Sequence, residues 1–95
     1  MKKVFVITSQ FGNRYTRVFS KHKRAVQEMF DAVNRNFDVR FPAYVYVDGE
    51  KREGYLDELF DNYEDALFYL CDNEDDELNR LFDGFFTFHT YEVED

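Results

Sequence analysis

The sequence predicts an α+β domain in the order ββα-ββα-β, with the helices on one face of a mainly antiparallel sheet. Two periodicities and one repeat carry that prediction. Apolar and polar residues alternate through several short segments, as strands with one buried face require. In two longer stretches apolar residues recur every three or four positions, as amphipathic helices require. A shift of 41 residues lays Val4-Phe5-Val6 on Val45-Tyr46-Val47, Val18-Phe19-Ser20 on Leu59-Phe60-Asp61, and Ala25, Val26 and Met29 on Ala66, Leu67 and Leu70. The same shift carries Val45 and Val47 to Phe86 and Phe88. Strand, cap and helix thus recur together, which points to a duplicated unit. The 95 residues read as one domain, 1–95, with units at about 3–37 and 44–82 and a final strand at 85–92.

In the first unit, Lys3 to Ser9 alternates and is rich in β-branched residues; Phe11-Gly12-Asn13-Arg14 supplies a turn and Tyr15 to Phe19 returns. Ser20 is placed to accept hydrogen bonds from the free amides of a helix start. Val26, Met29, Phe30, Val33 and Phe37 then mark one helical stripe. Phe41-Pro42 divides the units, because the residue before proline avoids helical geometry. In the second unit Ala43 to Val47 is a strand, Asp48-Gly49 a two-residue hairpin turn and Gly54 to Leu59 the return strand. Asp61 and Glu64 form an acidic capping box for a helix whose stripe runs Ala66, Leu67, Leu70, Cys71, Leu78, Leu81 and Phe82. The acidic run from Asp72 to Glu77 leaves residues 62–82 readable as one helix or as two.

Equivalent phases suggest that Val4, Val6, Val45, Val47, Phe86 and Phe88 face the helices. The opposite face would then display Phe5, Ile7, Tyr44, Tyr46, Phe85, Thr87, His89 and Tyr91. Among these, Phe5, Tyr44, Tyr46, His89 and Tyr91 are the candidate interface residues, for homodimerisation, for another protein, or for stacked bases of a single-stranded nucleic acid.

Net charge is −8, but residues 1–47 carry +6 and residues 48–95 carry −14. A strong one-sign surface steers association and repels like charge, so nucleic acid is the less favoured partner and a basic protein the more favoured one. Asp65, Tyr69, Asp72, Asp75, Asp76 and Glu77 are the candidate partner-binding residues, on a surface able to imitate a row of phosphates. No catalytic or metal-binding set is legible. His22 and His89 stand without a recurring Cys, Asp or Ser constellation. Asp72 to Glu77 lacks the glycine and the spaced bidentate glutamate of a calcium loop, and Gly12, Gly49, Gly54 and Gly84 are isolated. No cofactor is expected. Cys71 has no partner, which favours a reducing, cytoplasmic setting, and the apolar run Val4 to Ile7 is too short for a membrane span.

The unit Val4-Phe5-Val6-Ile7, hairpin, Val18-Phe19-Ser20 and Ala25 resembles a hairpin-then-helix pattern in small phage-encoded proteins of unknown function, and Leu59-Phe60-Asp61 with Ala66 resembles it again. The resemblance implies a viral or mobile-element setting, hence the cytoplasm of a host cell. By analogy of class it also implies a non-enzymatic inhibitor of host machinery.

Overall fold

The computed structural model describes residues 2–37 and 40–94, the side chains of residues 36 and 37 excepted. It is an α+β arrangement of helices and antiparallel strands: β1 Lys2–Ser9, β2 Thr16–Phe19, α1 His22–Phe37, β3 Pro42–Val47, β4 Glu50–Tyr55, α2 Leu56–Leu59, α3 Tyr63–Cys71, α4 Asp75–Leu81 and β5 Phe86–Val93. The expected Phe37 side chain of the first stripe and Asp95 of the acidic tail lie outside the described residues.

The strands form two sheets where one was expected. β1 is central in a three-stranded sheet of order β2-β1-β5, and β3 pairs only with β4. Composition explains the separation. β4 begins with four consecutive charged residues, Glu50 to Arg52 and Glu53, and these suit the exposed edges of a ribbon better than the middle of a covered sheet. Its turn is as predicted. Asp48 and Gly49 both have positive φ, 51° and 83°, the geometry of the primed turn that matches strand twist.

The inward phase of β1 also differs from the expectation. Ile7 and Ser9 are buried opposite Phe88 and Phe86, while Val4 and Val6 turn outward beside Tyr91 and His89. Both phases of β1 are apolar, so alternation alone cannot choose. The choice falls to β5, whose two phenylalanines are fully buried and fix which β1 positions share their side. Phe5 therefore points inward, 6.3 Å from Phe88 ring to ring.

Above this face lies one core. Ala25, Val26, Met29 and Val33 of α1 meet Leu67 and Leu70 of α3, Leu78 of α4 and Phe82. The helical stripes predicted for both units are thus the buried ones, and each large side chain withdrawn from water stabilises the fold by about 1.5–3 kcal/mol. Phe41 extends the core toward β3, its ring 5.0 Å from Phe82 and 5.9 Å from Phe30. Tyr63 stacks on Phe30 at 5.6 Å and donates its hydroxyl hydrogen to Asp31, tying α3 to α1. Burial and that hydrogen bond push the Tyr63 pKa up to about 12.

Local chemistry sets the helix boundaries. The return strand predicted over Gly54 to Leu59 runs instead from Glu50, directly after the Asp48-Gly49 turn, to Tyr55, because the Glu58 carboxylate accepts from the Tyr55 N–H at 3.2 Å and starts the short turn α2. Arg40 holds α2 from outside through Glu58, at 3.0 Å, and through the Tyr55 ring. The cap of α3 is Asn62 rather than Asp61: its side-chain oxygen accepts from Asp65 N at 2.9 Å, and its amide donates to the Asp65 carboxylate. α1 begins at His22, two residues beyond Ser20, with the Lys21 carbonyl accepting from Ala25 N. Residues 62–82 make two helices. Asn73 donates to the carbonyls of Tyr69 and Leu70 and closes α3, and Asp75, Asp76 and Glu77 favour the positive end of α4.

One interaction closes the outer edge of β5. The Asn79 side chain donates to the Phe88 carbonyl and accepts from the Phe88 N–H, both at 2.8 Å, as a neighbouring strand would. Asp75 accepts from Thr90 N at 3.1 Å. Replacing Asn79 by Ala leaves the Phe88 N–H and C=O unsatisfied, so the Asn79→Ala variant should lose about 1–3 kcal/mol in urea unfolding and aggregate more readily through the bared edge.

Candidate interaction surfaces

The acidic residues singled out in the sequence do different work. Asp65 is exposed on the first turn of α3 and bonded to Asn62. Asp75 is half-buried and spent on the β5 edge. Glu77 pairs with Arg80 at 2.8 Å, and that hydrogen-bonded contact holds its carboxyl below the usual range. Tyr69 is half-buried: its hydroxyl accepts from Tyr44 N at 3.3 Å and its ring lies 5.3 Å from Phe60, so it fastens the second hairpin to α3. Asp65, Asp72 and Asp76 of the predicted set are exposed with no basic partner among the described residues.

Three carboxylates outside that set join them. Asp61, Glu74 and Asp83 are exposed and have no ion-pair partner among the described residues. On α3 Phe68 is 67% exposed, with Glu64, which pairs with Lys23 at 3.6 Å, and Asp72 four residues before and after it. Helical spacing puts all three on one face. A phenylalanine one position out of phase with the buried Ala66, Leu67 and Leu70 is the signal that could have found this surface from sequence.

The five candidate interface residues do not share a platform. Tyr44 and Tyr46 are exposed on the β3–β4 ribbon, 5.9 Å apart, with Lys51 over the Tyr44 ring. His89 and Tyr91 stand on the outer face of the three-stranded sheet with rings 6.1 Å apart, and Phe5 is on its inner face. The stacking surface foreseen across all of them is split between two sheets and two sides.

Among the described residues no group of three or more His, Cys, Asp or Glu is placed to hold a metal ion, and no helix is long and apolar enough to cross a membrane. A cavity of about 330 Å³ opens over Phe30, Phe41 and Leu56 with Arg40 and Asp57 at its rim, but that arginine is already paired with Asp57 and Glu58. Burial raises the Cys71 pKa and keeps it a thiol.

His22 is the unforeseen titratable group of the core margin. Its ring lies 5.3 Å from Phe5 and 5.4 Å from Phe88, edge to face. Burial lowers its pKa from 6.5, and the nearby Asp75 offsets part of that. The folded state therefore holds fewer protons than the unfolded chain, and stability falls as pH drops through 6.5 toward the folded-state value. Thermal unfolding followed between about pH 7.5 and 5 should show a decline in the parent protein that His22→Gln removes; parallel curves would contradict it. No family model, curated protein or solved structure matches this chain.

Proposed function

We propose that the chain is a non-enzymatic acidic interaction protein, a phage-type inhibitor that docks on a basic, nucleic-acid-handling host protein in the host cytoplasm. The observation that carries this reading is the set of exposed carboxylates on and beside α3 and α4, several without an ion-pair partner among the described residues, together with the exposed Phe68 between Glu64 and Asp72 on α3. Carboxylates in this number attract a basic groove as phosphates do. Phe68 adds what a polyanion lacks, an apolar anchor of the kind that dominates protein interfaces. Of the basic groups in the first half, Lys23 and Arg40 pair with Glu64, Asp57 and Glu58, which leaves an acid surplus on the second half. In this reading the two halves descend from one duplicated ββα unit and have diverged in charge. The alternative of a single-stranded nucleic-acid reader needs one aromatic platform, and its aromatics lie on separate sheets.

The discriminating variant reverses Asp72, Glu74 and Asp76 to Lys while sparing Asp75 and Glu77, which hold β5 and Arg80. Against a panel of basic DNA-binding proteins, the parent should bind at low salt, weaken as salt rises and be displaced by duplex DNA; the triple variant should lose at least about tenfold in affinity, or about 1.4 kcal/mol. Binding indifferent to both salt and charge reversal would sink the proposal.

A further inference from the structure

The side of the three-stranded sheet that faces away from the helices is built unlike the rest of the surface. β1 contributes Val4 and Val6, β2 contributes Val18 and β5 contributes His89, Tyr91 and Val93, with Thr16, Thr8 and Thr87 forming the row at one end. Val18 is 61% and Tyr91 53% exposed. One residue in three of this chain is charged, yet inside its end residues this face carries no Asp, Glu, Lys or Arg. β-branched side chains on a pleated sheet form a flat, stiff surface whose burial costs little rotamer entropy. No helix of the chain reaches it, since α1 and α4 lie on the side of Ile7, Phe86 and Phe88.

We propose that two copies of the chain associate through this face, sheet against sheet. Charge selects the occupant. A chain of net charge −8 repels its own copy over most approaches, and this face is where two copies can meet without opposing carboxylates. The charged residue in phase with this face is Lys2, opposite Val93 at its end. A basic partner is drawn instead to α3 and α4, and a nucleic acid or an anionic membrane finds no cation inside the end residues of the face to hold it. Size sets the strength. Three strands, two of them eight residues long, cover roughly 350 Å² per copy, below the ~800 Å² a side of a standard stable complex. The dimer is accordingly weak and builds up only at high concentration. It is independent of the docking proposed for α3 and α4, because the two surfaces lie on opposite sides of the sheet.

Sedimentation equilibrium of the purified chain from about 10 µM to 1 mM should show the average mass rising from 11.5 kDa toward twice that value. Raising the salt should strengthen this association by screening the −8 repulsion, the reverse of its effect on the acidic docking. Val18→Lys and Tyr91→Lys alter exposed positions, should keep the parent circular-dichroism spectrum, and should each hold the mass at the monomer value. Phe68→Lys, which removes a large exposed apolar group away from this face, should leave the dimer intact. A monomer throughout the range would overturn the proposal, as would association that survives both sheet-face variants or that Phe68→Lys abolishes.

Discussion

The strand β5 is gripped from three directions, and the rest of the molecule is arranged around that grip. Toward β1 its backbone completes the three-stranded ladder. Toward α4 its free edge is closed at Phe88 by the two-pronged Asn79 amide and at Thr90 by Asp75. Beneath the sheet its Phe86 and Phe88 side chains are fully buried. A buried backbone amide or carbonyl without a partner costs free energy comparable to a lost hydrogen bond, so an edge strand packed under a helix demands such closure. Asparagine supplies it because its side chain carries the donor and the acceptor of a peptide group.

That grip propagates into the charge distribution. The acidic residues at the start of α4 favour its dipole, and one of them reaches the strand, so part of the Asp72 to Glu77 run is explained by folding alone. What folding leaves over is a smaller set of exposed carboxylates with Phe68 among them. The electrostatic field of the molecule is therefore lopsided. Helices α3 and α4 carry the surplus negative charge, whereas the far side of the sheet is nearly neutral and β-branched.

The second hairpin belongs to a different regime. β3 and β4 are joined to the body through α2, the Phe41 carbonyl that accepts from Leu56 N at 2.8 Å, and the Tyr69 hydroxyl on Tyr44. β3 begins with a proline and β4 carries four charges in succession, a composition that discourages further strand pairing. The exposed tyrosines form a small aromatic surface of their own, separate from the sheet that holds His89 and Tyr91.

Local sequence determined the elements. Period and turn chemistry located four of the five strands and the two amphipathic stripes, and Asp48-Gly49 imposed its turn through positive φ at both residues, although the return strand runs Glu50–Tyr55 and not Gly54 to Leu59. The cap of α3 was legible to within a residue, Asn62 in place of Asp61, whereas the return strand lies four residues earlier than expected because Glu58 starts a helical turn at Leu56. Tertiary structure decided the inward phase of β1, since Val4-Phe5-Val6-Ile7 is apolar on both sides and only pairing with β5 distinguishes them. It also decided that five strands expected to share a sheet would separate into three and two, because pairing depends on what can be buried against each face, a property of the assembled layers and not of one strand. The roles of Asn79, Asp75 and His22 came from the same source: each acts on a residue 9, 15 or more positions away, beyond the reach of any local pattern.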